Sequence, residues 1–351
     1  MPPETQLKVG IAGCGVIADA HLPYIRAAGA EIVGVADLSL AAVNDLADRH
    51  QIQRVYDGIG ALLDAEAPDV VHVLTPPHTH ARVAIEALER GVHVLVEKPM
   101  ATDPAEADSM VEAARRGGAM LAVDHNRLFD PVMLDARRVL ESGEMGELVA
   151  VESYQSGAAS ERTWLDDLTG GGLGDLIPHP LYLLLAFTGP ASEVTAQASG
   201  TRGGPAGQLD EIRALVRGER AVGTLVVTTS ARHHFNLLRL CGTKMTLEVN
   251  LNTMTMLKRR EYSAPKAIGK SLPSLDDATQ LVLQTVRNTT RFLTGRLRYY
   301  PGMGNLIASY YDAIRSGSAV PASGAEGAEV VRVTSRLWDA VSTPARLHEA
   351  G

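Results

Sequence analysis

Cysteine is almost absent from this chain: Cys14 and Cys241 are the only two in 351 residues. Two thiols give no disulfide framework, and they fit a reducing cytosol. Long apolar runs are missing as well. None reaches the roughly 20 residues that a membrane span needs. The opening MPPETQLKVG lacks the basic and apolar stretches of a secretory signal, so the expected location is cytoplasmic, with no membrane partner. Basic residues are outnumbered, 33 Lys and Arg against 41 Asp and Glu, for a formal net charge of −8, and they form no runs. Phosphate binding needs a concentrated basic face, which excludes nucleic acid as the main partner. Repeats and low-complexity tracts are missing, and no cluster has metal-ligand spacing, so no metal is expected.

What is present is length and rhythm. A chain of 351 residues suggests two domains and a large core. The first 125 residues alternate between strand-like and helix-like stretches. Val9 to Ala12, Glu31 to Ala36, Gln53 to Tyr56, Val70 to Leu74, "VHVLV" and "AMLAVD" read as six strands. Helices are expected over Val16 to Ala28, from the N-cap Ser39 to Arg49, and over Ala81 to Arg90, stopped by Gly91. A further helix starts at "DPAE" (103–106), with Asp103 as cap, Pro104 at the first helical position and Glu106 closing a capping box. Strands alternating with helices imply a parallel sheet covered on both faces.

Asp130-Pro131 then caps one more helix, ending near Gly143. Beyond Leu148 the rhythm changes. "LVAVESYQSG", "EVTAQASG", "EIRALVRGERAVGTLVVTTSA", "FNLLRLCGT" and "MTLEVNLNTMTMLKR" follow one another closely, with "RGER" as a hairpin turn. Short turns join antiparallel strands, so the second half is an α+β domain with a large, mostly antiparallel open sheet. Residues 263–278 are expected to be a mobile loop. Two helical patterns close the chain, the last able to pack back on the first domain. The expected division is 1–124 and 125–351.

The chemistry starts in "VGIAGCGVIA". Gly13-x-Gly15-x-x-Ala18 follows the first strand and opens the first helix, where a dinucleotide loop belongs. Gly13 permits the tight turn, Gly15 lets backbone approach a pyrophosphate, and Ala18 lets the helix pack on the strand. The amides of Val16 and Ile17 lie at the positive helix end, facing phosphate. Asp37 ends the second strand, where a carboxylate binds the ribose 2′-hydroxyl and repels a 2′-phosphate. Leu38, not arginine, follows. The expected cofactor is therefore NAD rather than NADP. Thr75, Pro76 and His80 at the fourth strand end, and Glu97-Lys98-Pro99 at the fifth, occupy the carboxyl edge where such sheets bind ligands. Lys98 reads either as a residue aimed into the nucleotide crevice or as an exposed Lys-Pro turn.

"GGGLGDLIPHPLYLL" (170–184) also reads two ways: a tight turn entering a buried helix, or a proton-transfer pair, Asp175 and His179, held at a ligand. Together with the glycine loop, "TPPHTH", "EKP", "HNRLFDP" (125–131) and a final "YYDAIRSGSAVPASGAEGAEVVRV", it resembles the glucose–fructose oxidoreductase/inositol dehydrogenase/MocA family across essentially the whole chain. The resemblance implies an N-terminal Rossmann domain and an NAD(P)-dependent oxidoreductase acting on sugars, polyols or their derivatives. It implies that Asp175 and His179 share the first turn of a helix facing the nicotinamide, with His179 as base and Lys98 polarising the reacting oxygen. Substrate contacts are then expected from Lys98, Asn126, Trp164, Asp175 and His179. The family pattern is nearer D-x-G-x-H-x-x-D. Here Ile177 replaces the glycine, and Tyr182 stands at the last acid.

Two other functions stay open on sequence: a glycoside-cleaving relative that oxidises its sugar transiently with bound NAD, and an NAD-binding regulator without catalysis. The open apolar sheet predicts a homodimer or homotetramer built through it.

Overall fold

The computed structural model describes residues 6–158, 165, 168–200, 209–262, 265, 269–295, 297 and 299–342. Trp164 lies outside them. The chain divides into two compact units. The first joins residues 1–131 to 298–331, and the second joins 132–297 to 332–351.

In the first unit six parallel strands, β1 (Lys8–Ala12), β2 (Glu31–Ala36), β3 (Val55–Tyr56), β4 (Val70–Val73), β5 (His93–Val96) and β6 (Leu121–Val123), form a sheet ordered β3-β2-β1-β4-β5-β6. The order reverses between β1 and β4, the point where open α/β sheets open a ligand crevice at their carboxyl ends. Helices α1 (Val16–Ala27), α2 (Leu40–His50), α3 (Ile59–Glu66), α4 (His80–Leu88) and α5 (Pro104–Gly117) connect the strands. Side chains alternate across each strand. Val71 and Val73 of β4, Val94 and Val96 of β5, and Leu121 and Val123 of β6 join one core cluster with Leu62 of α3, Leu88 of α4 and Met110 of α5. His72, Glu97 and Asp124 fall one step out of that register, on the opposite face.

Two local readings change. Helix α3 carries no strong cap signal in sequence; its N-cap is Gly58, with no side-chain cap bond. Asp103 does cap α5, accepting from Ala105 N at 2.7 Å, but Glu106 does not close a box with it. Glu106 instead accepts from Thr102 Oγ1.

The second unit opens with α6 (Pro131–Glu141). Asp130 accepts from Gly302 N at 3.1 Å, so its carboxylate ties chain ends of the first unit together. Strands β7 (Leu148–Ser156), β8 (Ala191–Ser199), β9 (Glu211–Gly218), β10 (Val222–Thr228), β11 (Asn236–Gly242), β12 (Thr246–Asn250) and β13 (Thr255–Arg259) form a sheet ordered β13-β12-β11-β7-β10-β9-β8. All pairs are antiparallel except β10 with β7. Its inner face packs on α8 (Pro178–Thr188), which follows α7 (Gly171–Leu176). The apolar residues of α8, Leu181, Leu184 and Phe187 among them, are buried. The outer face carries a ladder of ion pairs, Glu152–Arg239–Glu248–Arg259, beside exposed Leu215 and Leu237.

The expected loop over 263–278 is overturned from Leu272 onward. A 22-residue helix, α9 (Leu272–Leu293), starts there. Loop-like composition hid it, because none of its residues is buried. It is pinned to the edge strand β13 by amides. Gln284 accepts from Met256 N at 2.8 Å and donates to Met256 O at 2.7 Å. Gln280 does the same for Lys258, and Asn288 donates to Met254 O. Three amides four residues apart thus satisfy the open backbone groups that make an edge strand a liability. Helices α10 (Pro301–Ser316) and α11 (Gly324–Ser342) close the described chain, and the unit division falls within α11. Among the described residues no helix is long and apolar enough to cross a membrane.

Candidate active site

The first unit gathers its polar strand ends on one edge. Gly13 has φ 101°, and a Cβ there would lie 2.5–2.6 Å from the Leu74 and Thr75 backbone, so only glycine lets the β1 and β4 ends approach. Gly15 is the N-cap of α1, and a Cβ on it would meet nothing within 4 Å. The loop is therefore open in front of a helix start whose first amides have no intrahelical acceptor. Val16 is exposed and Ile17 half-buried at that start. Asp37 braces the loop: Oδ2 accepts from Cys14 N and Oδ1 from Ser39 N, both at 2.8 Å. Each oxygen keeps acceptor capacity for a hydroxyl. Backbone amides at a helix start beside a strand-end carboxylate fit the pyrophosphate and ribose of a dinucleotide. Burial and the Asp37 charge push the Cys14 thiol up to about 12, so it stays protonated and takes no nucleophilic part.

Thr75, half-buried, accepts from Thr79 Oγ1 at 2.7 Å, and the exposed Pro76 leads into a single 3₁₀ turn, Pro77–Thr79. His80 is buried between two carbonyls, Nδ1 2.9 Å from Pro99 O and Nε2 2.7 Å from Thr75 O. Burial lowers its pKa against the pull of both carbonyls. It locks the loop after β4 to the turn after β5. In that turn the Lys98–Pro99 peptide is cis, Lys98 is half-buried, and its amide donates to Glu97 Oε2 at 3.0 Å. Asn126, half-buried after β6, donates to Asp124 Oδ2 at 3.4 Å.

Sequence reasoning missed what lies under this edge. His21 of α1, His72 of β4, Glu97, Asp124 and Tyr311 of α10 form one buried network. The expectation of no metal-spaced cluster is corrected by the fold. The fold brings ligand atoms of His21, Glu97 and Asp124 within 4.8 Å of one another. Two signals pointed to it: a histidine on the buried stripe Ala18, His21, Leu22, Ile25, and another inside the apolar strand "VVHV".

In the second unit the glycine-rich turn is structural in its glycines. Gly170 and Gly171 have φ of 80° and 54°; a Cβ on Gly170 would run into the Trp338 ring, and one on Gly174 into the Thr169 carbonyl. Asp175 and His179 stay four apart on helical backbone, since Ile177 between them has φ −51° and ψ −43°, but they do not share one first turn. Asp175 lies in the last turn of α7 and His179 in the first turn of α8, because Pro178 has no N–H to continue the ladder. Both are half-buried. Ile177 is fully buried. Tyr182, 2 % exposed, sets its hydroxyl 3.1 Å from His179 Nδ1, with the rings edge to face at 5.7 Å. The residue standing where the family pattern has an acid is thus a neighbour of the histidine.

Solved structures share this fold. Levoglucosan dehydrogenase in complex with NADH and levoglucosan superposes with a TM-score of 0.78 at 21% identity, over 96% of this chain and 98% of that one. The WlbA dehydrogenase of Bordetella pertussis, in complex with NADH and UDP-GlcNAcA, gives 0.75 at 20%, over 96% of each. In sequence, the chain is 36% identical over 147 residues to D-glucoside 3-dehydrogenase of Escherichia coli, 41% of this chain and 42% of that protein. It is 31% identical over 175 residues to inositol 2-dehydrogenase 2 of Saccharopolyspora erythraea, 48% and 52%. These matches span about half the length of the curated relatives. Residues 7–125 match the model of the oxidoreductase family with NAD-binding Rossmann fold, and 133–248 match the C-terminal domain model of the same family. With more than half of its length so matched, the chain belongs to the GFO/IDH/MocA family, with an NAD-binding Rossmann domain at its N-terminal side.

Proposed function

We propose that this protein is an NAD-dependent dehydrogenase that oxidises a secondary alcohol of a sugar, polyol or sugar derivative, or runs the reverse reduction. The observation that carries the reading is the open Gly13–Ile17 loop at the β1/β4 switch point, with Asp37 and Lys98 on the same edge of the sheet. In this reading the first unit holds cofactor and the second selects substrate. Named dehydrogenases of inositol and a glucoside among the relatives support the substrate class.

Bound NAD supplies the hydride acceptor. The chain supplies the rest. Backbone amides of the loop hold the pyrophosphate, and Asp37 accepts from ribose hydroxyls. Thr75, Pro76 and Glu97 shape the crevice, and His80 locks the two turns that border it. The Lys98 ammonium hydrogen-bonds the reacting oxygen and favours its alkoxide form. His179 takes the hydroxyl proton. The tautomer this requires carries its proton on Nδ1, donated to the Tyr182 hydroxyl, and accepts at Nε2. Tyr182 then does for the ring what a carboxylate would do, without adding charge. Asp175 and Asn126 bind neighbouring hydroxyls, and buried Ile177 restricts which sugars enter.

The test is a panel of sugars and polyols scored by net NADH formation. Release of NADH supports a dehydrogenase over a lyase-type cycle that regenerates its cofactor. NAD binding with no NADH from any member overturns it. A double-mutant cycle of Lys98→Ala and His179→Ala on the substrate found checks that both serve one reaction: the losses should be strongly non-additive.

A homodimer or homotetramer completes the reading, assembled through the second unit. Its support is apolar surface. Val282, Leu283, Val286, Phe292 and Leu293 of α9 are each more than 60 % exposed, and a cavity of about 570 Å³ lies between the outer sheet face and α9, lined by Tyr154, Leu237, Leu257 and Leu281. Monomers rarely expose so much contiguous apolar surface. Two free thiols fit a cytosolic location.

A further inference from the structure

Of the buried network beneath the Glu97–Lys98 turn, only Glu97 borders the crevice described above; His21, His72, Asp124 and Tyr311 have no role there. His21, His72, Asp124 and Tyr311 are 0 % exposed and Glu97 8 %. Ionisable groups this deep are expensive unless paired. Their placement is dictated by strand alternation. His72, Glu97 and Asp124 all fall on the sheet face turned from the apolar cluster, and His21 and Tyr311 reach that face from α1 and α10.

The bond directions restrict the protons. His21 Nε2 lies 3.2 Å from Glu97 Oε1 and 3.4 Å from Asp124 Oδ2. His21 Nδ1 lies 3.0 Å from His72 Nδ1, and His72 Nε2 lies 2.8 Å from Tyr311 OH. With both carboxylates ionised, two arrangements satisfy every bond. In the first, His21 carries both N–H groups: Nε2–H donates to the carboxylates, Nδ1–H donates to a neutral His72, and His72 Nε2–H donates to Tyr311. In the second, every direction beyond His21 Nε2 is reversed and one proton fewer is held. Two buried carboxylates against a single imidazole select the first, because the second leaves their charge without its counterpart. Burial alone would lower the His21 pKa; the bonds to Asp124 and Glu97 overcome it and raise it to about 9. Burial and the His21 charge hold His72 well below the ordinary range. Burial and the Asp124 charge raise Glu97, whereas for Asp124 the His21 bond outweighs burial and lowers it.

We propose that His21 is a positioning residue: as an imidazolium clamped between Glu97 and Asp124, it fixes the Lys98 peptide through Glu97 and the Asn126 amide through Asp124. Both links are in place, Lys98 N to Glu97 Oε2 at 3.0 Å and Asn126 Nδ2 to Asp124 Oδ2 at 3.4 Å. One buried cation thereby sets two site residues from beneath the ends of β5 and β6. The inference rests on the reading of Lys98 and Asn126 as site residues, but the clamp itself does not. A metal ion would suit the same spacing; a proton accounts for every bond without a further ligand.

Nitrogen-15 NMR of the full-length protein tests it. In the wild type at pH 7.5 both His21 ring nitrogens should be protonated, with a titration midpoint near 9, while His72 carries a single proton on Nε2. In His21→Gln the Lys98 amide should exchange about tenfold faster relative to the Val96 amide, the scale of one lost hydrogen bond. Glu97→Gln should do the same. A merely structural histidine would lower the melting temperature and speed both amides alike. A neutral His21 at pH 7.5, unchanged relative exchange at Lys98 in the variants, or stoichiometric metal in the purified protein that is lost in His21→Gln would each overturn the proposal. If His21→Gln does not fold, the wild-type ring spectrum and Glu97→Gln decide it. None of these readouts uses a substrate, so a failed sugar panel would sink the dehydrogenase reading and leave this test intact.

Discussion

The two units depart from the oil-in, charge-out rule in opposite directions. The first buries charge: an imidazole, two carboxylates and a second histidine sit at 0–8 % exposure under its strand ends. The second exposes oil: a 22-residue helix has no buried residue and carries large apolar side chains more than 60 % exposed. Burial statistics make both arrangements rare, and each points outward to something the chain alone does not contain. Buried charge at the carboxyl ends of parallel strands reads as a device that holds the Lys98 peptide and the Asn126 amide still. Exposed oil beside a ladder of ion pairs reads as a surface waiting for cover.

The largest expected effect breaks the second half of that contrast. Val282→Asp with Val286→Asp places four charges in a symmetric interface and removes four apolar side chains from it. At roughly 1.5 kcal/mol for each valine, the dimer should weaken by well over a thousandfold. Light scattering at micromolar concentration should report an oligomer for the wild type and a monomer for the variant. A monomeric wild type would refute the covering role of α9. The variant should keep its helix content, since the glutamine pins to β13 are untouched, while its melting temperature falls with the lost association.

Next in size is a pH effect confined to the first unit. The folded pKa of His21 is about 9, above the ordinary value of 6.5. A raised histidine pKa stabilises the fold fully below pH 6.5 and loses that contribution as pH climbs through 9. The loss is at most about 3 kcal/mol. Urea unfolding between pH 6.5 and 9.5 should show this decline, His21→Gln should flatten it, and the α9 variant should retain it.

His179→Ala sharpens the contrast on the catalytic side. Turnover on an established substrate should fall about 100-fold or more, the scale of a lost general base, while NAD affinity stays nearly intact. Tyr182→Phe removes the acceptor for Nδ1–H and should cut turnover less, shifting the acid limb of the pH profile. Near-normal turnover in His179→Ala would make the turn after Gly170 purely structural.

Regular periodicity made most of the fold legible. Strand–helix alternation, the glycine loop and short antiparallel strands each have a local signature, and the structure realises them within one or two residues at most boundaries. Three features were not read from the sequence. Glu97 and Asp124 lie 76 and 103 residues beyond His21, and only the fold joins them, by setting α1 against the strand face that carries the two acids. Helix α9 pairs through glutamines to an edge strand, so it shows no buried stripe. Between Asp175 and His179 the missing N–H of Pro178 drops one bond from the ladder and divides α7 from α8, while Ile177 keeps helical backbone angles.

The smallest effect returns to the first unit and asks what kind of charge Asp37 is. Unlike the buried carboxylates, it is half-exposed, and its oxygens already accept from Cys14 N and Ser39 N. It therefore has two separable duties: bracing the glycine loop and repelling a 2′-phosphate. Asp37→Ala removes both and should weaken NAD while narrowing its advantage over NADP by about tenfold, the worth of one charge-assisted hydrogen bond. Asp37→Asn keeps an acceptor for one amide and removes the charge. If repulsion dominates, calorimetric titration should show NADP binding improved in Asp37→Asn, with NAD little changed. If both nucleotides weaken equally, the carboxylate is a brace for the loop, and cofactor choice must lie with the exposed neighbour Leu38, which offers a 2′-phosphate no cation.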